Sequence, residues 1–146
     1  MRAVTIWLGY ASRMRFLVIH PPDPRPALVV ETVSLVDEET LVSFKETLLR
    51  LGCPNGLVFD QSDCVVVRDT YATLDVDSLE EDARVATDRL LARVANGRGL
   101  EQRVLDWLRS MAASWNEALP TEQDVAAPFI TDIVPAVSGS SIRQVA

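Results

Sequence analysis

The stretch "ALVVETV", Ala27–Val33, sets a single carboxylate, Glu31, inside a run of aliphatic and β-branched residues. Such residues suit a pleated, half-buried surface, so residues 27–34 read as a strand. Side chains alternate across a strand, which sends Leu28, Val30 and Thr32 one way and Val29, Glu31 and Val33 the other. Glu31 thus shares a largely apolar face, where an unpaired charge is costly. It needs a cation, a metal ion or water at a sheet edge. Arg15 on the neighbouring strand is the leading partner; metal ligation and simple exposure are the alternatives.

Working outward, "RMRFLVIH", Arg13–His20, alternates and then turns continuously apolar, as a mostly buried strand does. "PPDPRP", Pro21–Pro26, has four residues without an N–H and forms the turn between this strand and the next. With a further strand over Ala3–Tyr10, the first third is a β-meander. Asp37 caps a helix whose first turn holds Glu38 and Glu39, where the helix dipole favours negative charge. Leu41, Phe44, Leu48 and Leu51 share one face of it, and Gly52 ends it in a left-handed conformation. "LVFD" and "CVVVRD" follow as two strands joined by a tight turn at "QSD".

Ser78 and Glu81 have the spacing of a capping box, and Leu79, Ala83, Ala86, Leu90 and Val94 fall on one helical face up to Asn96 and Gly97. A second stripe runs through Leu100, Val104, Trp107, Leu108, Met111, Trp115 and Leu119, its tryptophans read as core. The two predict a helical hairpin over residues 78–119. Residues 121–146, with Pro128, Pro135 and a Ser/Gly cluster, read as an irregular tail. Its apolar "PFITDIVP" docks on its own domain or on another subunit, the former being favoured.

The 146-residue chain suits one packed domain over residues 1–120, with 48% hydrophobic and 24% charged residues. The net charge of −7 argues against a large phosphate-binding footprint. Charge is uneven: residues 1–30 carry four arginines against Asp23, and residues 31–82 carry 13 acids against Lys45, Arg50 and Arg68. Cys53 and Cys64 are too far apart for a C-x-x-C motif and read as buried thiols of a reducing compartment. No run reaches the roughly 20 apolar residues that cross a bilayer, so a cytoplasmic protein with no membrane partner is expected. His20 is the lone histidine, and no P-loop or dinucleotide glycine pattern occurs.

The order strand, proline turn, strand with a central Glu, helix, then "LGCPNGLVF" and its hairpin partner resembles the restriction-endonuclease-like superfamily. The likeness spans residues 13–71 and is greatest to the small N-terminal nuclease domain of type I restriction subunits. The resemblance implies an α/β fold with a central mixed sheet flanked by helices. It also implies a site in which two carboxylates hold Mg²⁺ and a lysine assists the attacking water. Glu31 stands at the Glu of the family's E-x-K, but Val33 fills the lysine position and Arg13, Met14 and Arg15 stand where an acid belongs. Under a nuclease reading the catalytic set is Glu31, Asp23 and Lys45, with Glu31 as metal ligand.

The leading expectation is a catalytically degenerate nuclease-like domain, without cofactor, that serves as a protein-interaction or assembly module. Its partner is another protein or a second copy, most simply through the C-terminal helices. The alternatives are a divergent Mg²⁺-dependent nuclease and a nucleic-acid-binding accessory subunit that uses Arg13, Arg15, Arg84, Arg89, Arg93, Arg98, Arg103 and Arg109, with Arg89 and Arg93 as neighbours in a basic stripe.

Overall fold

A computed structural model describes residues 13–145; the strand expected over residues 3–10 lies outside them. β1 (Met14–Ile19) turns through the proline segment into β2 (Leu28–Thr32), antiparallel, with Arg15 opposite Glu31. The helix α1 (Glu38–Leu51) then carries the chain across to β3 (Asn55–Phe59), which lies parallel to β2. Parallel neighbours need such a crossover, and the helix covers one face of the pair. Both expected ends of α1 are present. Asp37 accepts from the Thr40 N–H at 2.8 Å, which holds its carboxyl below the usual range, and Gly52 closes the helix at φ 65°.

β4 (Asp63–Asp69) returns antiparallel to β3 and is followed by a 3₁₀ turn (Val76–Ser78) and β5 (Leu79–Ala86). The last third holds α2 (Thr87–Leu90), α3 (Leu100–Ala118), α4 (Gln123–Ile130), α5 (Ile133–Val137) and β6 (Ser141–Val145). β6 pairs antiparallel with β1, giving, among the described residues, a six-stranded mixed sheet in the order β5-β4-β3-β2-β1-β6. α1 packs on one face over Val29, Val58 and Val65, and the C-terminal helices pack on the other over Phe16, Val30, Leu57 and Phe59. The architecture is α/β with an open mixed sheet flanked by helices.

Two expectations are corrected. Residues 79–86 form an edge strand, so the helical hairpin over 78–119 does not form; only α2 and α3 are helical there. Val67 pairs with Glu81 and Val66 with Ala83, leaving Asp82 as an extra residue. Such an insertion reverses which face the following residues take. Leu79 therefore joins the α1 side and Val85 the opposite side, so strict alternation is lost while a helix-like spacing remains. The β4 valines, at most 2% exposed, take their second neighbour from this strand.

The tail is also structured, as α4, α5 and β6, and its apolar segment docks on its own domain. Phe129, Ile133, Val134 and Val137 are buried, and Phe129 meets Trp107 edge to face at 6.1 Å. Pro135 sits in the first turn of α5, where its missing N–H costs no helical bond. The α3 stripe is spent on the same core, with Trp107 fully buried and only Trp115 reaching the surface, so it offers no broad apolar face for self-association.

Gly56 of β3 lies directly beneath α1. A Cβ there would overlap the Phe44 ring and the Leu48 side chain, both fully buried. Gly56→Ala is expected to lower stability by about 1–3 kcal/mol, the usual cost of overpacking a tight core. Urea denaturation measures this, and Phe44→Leu in the same chain should recover part of the loss.

Candidate functional site

Glu31 is 1% exposed, on the face of β2 that carries Val29 and looks toward α1. Arg15, directly opposite on β1, donates from Nε to Oε2 at 2.8 Å. Arg13 donates from Nη2 to Oε1 at 3.1 Å, and the same nitrogen lies 3.4 Å from Ser43 Oγ on α1. Each carboxylate oxygen thus holds its own guanidinium, a charge-assisted arrangement stronger than neutral hydrogen bonds. Both arginines keep part of their side chains in water, at 44% and 29% exposure. The charge that would be unaffordable alone is neutralised in place, and β1, β2 and α1 are tied together by it.

The other members of the expected catalytic set lie elsewhere. Asp23 sits in the β1–β2 turn, at the end of β2 away from Glu31, accepting from the Arg25 N–H at 3.0 Å as a turn-forming Asp does. Lys45 lines a cavity of about 360 Å³ with Val36, Leu41, Glu81 and Arg84, beside β5. The structure does not bring Glu31, Asp23 and Lys45 together, and among the described residues no three His, Cys, Asp or Glu side chains form a metal-binding group. The residues around Glu31 do not fit Mg²⁺. Its oxygens already accept from two cations, and a divalent ion would have to displace both.

The remaining nucleophile and base candidates are also engaged. His20 Nε2 donates to the Ala136 carbonyl at 2.7 Å, while Cys53 Sγ donates to the Asn55 carbonyl at 3.2 Å. Burial pushes the Cys53 thiol up to about 11 against two weaker opposing hydrogen bonds, and burial pushes fully enclosed Cys64 up as well. Both cysteines are free thiols, buried as expected, and poor nucleophiles at neutral pH. Arg89 makes a two-pronged pair with Asp124 at 2.7 and 3.0 Å, and Arg93 donates to the Leu119 carbonyl at 2.9 Å, so neither stands ready for a phosphate.

The sequence marks "QSD" as a turn but gives no direct sign of what Asp60 does just before it. Asp60, 5% exposed, sits where parallel strands β2 and β3 end. Its Oδ2 accepts from the Val36 N–H at 2.9 Å, and its Oδ1 accepts from Ser62 and Asp63 at 2.8 and 2.7 Å. Its own carbonyl accepts from Thr87 Oγ1 at 2.9 Å. One residue thereby fixes the start of α1, the β3–β4 turn and the start of α2. The available signal was an Asp at a strand end followed by a polar pair, the pattern of a side chain capping its own turn.

No known family model, curated protein or solved structure matches this chain.

Burial alone would raise the Asp60 pKa, but the N–H groups of Val36, Asp63 and Ser62, with the Arg84 charge, outweigh it and hold the carboxyl below its usual value. A depressed carboxyl contributes stability that is full above its unfolded pKa, near 4, and is lost as pH falls through the lower folded value. Asp60→Asn turns one acceptor into a donor facing N–H groups, and is expected to cost about 1–3 kcal/mol at neutral pH. The difference from the native chain, followed by urea denaturation, should shrink as pH drops below about 4.

Proposed function

We propose that this chain is a catalytically degenerate, nuclease-like domain that acts as a protein-interaction or assembly module. The observation carrying the proposal is the occupation of both Glu31 oxygens by Arg15 and Arg13. In the family that the sequence resembles, the corresponding carboxylate holds a metal ion; here it holds two strands and a helix. The order β1, β2 with its Glu, α1, parallel β3 and antiparallel β4 supports the nuclease-like descent. Separation of Asp23 and Lys45 from Glu31 speaks against the divergent-nuclease alternative. The pairing of Arg89 and Arg93 within the domain speaks against an arginine stripe for nucleic acid.

The thermal unfolding midpoint tests this reading, because a ligand that binds only the folded state raises it. With excess Mn²⁺ or Mg²⁺ the native midpoint should stay where it is, Glu31→Ala should lower it with or without metal, and duplex DNA should remain uncut. A metal-dependent rise that Glu31→Ala abolishes would restore the nuclease reading.

A further inference from the structure

We propose that the cavity between α1 and β5 binds a free α-amino acid with an aliphatic side chain. The inference goes beyond the assembly reading and does not depend on it. The cavity, about 360 Å³, opens beside the first turns of α1, past the C-terminal end of β2. Open α/β sheets commonly hold ligands at that end of their parallel strands. Val36, Leu41 and Val42 give the cavity apolar walls, and Lys45, Glu81 and Arg84 give it charge.

The β5 bulge builds the charged side. Side chains alternate along a regular strand, so Glu81 and Arg84, three residues apart, would point to opposite faces. The extra residue Asp82 changes this: Glu81 pairs with Val67 and Arg84 with Val65, and both valines belong to the core on the α1 side. Cross-strand partners share a face, so Glu81 and Arg84 both face α1. Their carboxylate and guanidinium stand side by side at 3.8 Å, and both are exposed. Bulges recur next to binding sites because they re-aim side chains in this way.

α1 supplies the rest. Leu41 and Lys45, four residues apart, are neighbours on one helical face. Lys45 is half-buried and has no ion-pair or hydrogen-bond partner among the described residues, although it lines the same cavity as Glu81. The cavity therefore offers two cations to a carboxylate, an adjacent acceptor to an ammonium, and aliphatic walls to a side chain. An α-amino acid carries those three groups on one carbon. With Asp37 and Glu38, carboxylates outnumber cations in the lining by three to two, which disfavours a simple anion and makes the ammonium a required part of the ligand.

Isothermal titration calorimetry of the full chain with L-valine, L-leucine and L-isoleucine tests the inference, with the unfolding midpoint as a second readout. At least one should bind. The analogues without the amine or without the carboxylate, isocaproate and isoamylamine in the case of leucine, should bind roughly tenfold more weakly or worse, since each loses charged hydrogen bonds. Lys45→Met keeps the aliphatic stem and Glu81→Gln keeps the shape, so each should retain the native circular dichroism and urea midpoint yet weaken binding by roughly tenfold or more. Arg84 stays native because its charge also supports Asp63 and Asp60. Neither heat nor a raised midpoint from any of the three amino acids up to about 10 mM would overturn the inference. Equal binding of either analogue would do the same, as would an affinity that either substitution leaves unchanged.

Discussion

A carboxylate with 1% exposure in an inner strand must be neutralised where it stands, and here Arg15 and Arg13 do so together. The constraint reaches beyond the pair. A one-residue slip between β1 and β2 would turn every side chain of the moved strand to the other face, setting Arg15 among the core residues under α3 and leaving Glu31 unpaired. The ion pair therefore fixes the same register that the apolar residues favour. Arg13, through Ser43, extends this hold to α1.

Asp60 performs a related task just past the C-terminal ends of the parallel strands. β2 and β3 part there, and the chain must leave in two directions with its N–H groups satisfied. Three of those groups converge on one carboxylate, and Thr87 adds the start of α2 through the backbone carbonyl. Two buried acids thus serve as junctions, each compensated by its own means: Glu31 by charge, Asp60 mainly by backbone donors. Both use carboxylate chemistry for architecture, and among the described residues neither belongs to a group of three His, Cys, Asp or Glu side chains that could hold a metal ion.

Much of the fold was legible because local signals and burial agree. Asp37 and Gly52 bound α1, Leu41, Phe44 and Leu48 give it one face, and the alternation around Glu31 points to Arg15. The strand β5 was not legible because its extra residue, Asp82, breaks the period of two that marks a strand, while Ala and Leu fall at helical spacing by coincidence. The tail reads as irregular because prolines count against helices in general, yet Pro135 falls in a first turn where one is tolerated and Pro128 lies within α4 itself. Of the site, the Arg15 pairing followed from strand alternation, but Arg13 precedes β1 and reaches Glu31 by side-chain length alone. The separation of Asp23 and Lys45 from Glu31 depends on tertiary placement, which local sequence does not encode.

The claim that Glu31 is a structural tie is tested most directly by a double-mutant cycle on Arg15 and Glu31. Native chain, Arg15→Ala, Glu31→Ala and the double variant would be compared by urea denaturation. A structural pair predicts a coupling of about 1.5–3 kcal/mol, the range of hydrogen bonds to charged groups. Single losses that simply add, to within about 0.5 kcal/mol, would contradict it.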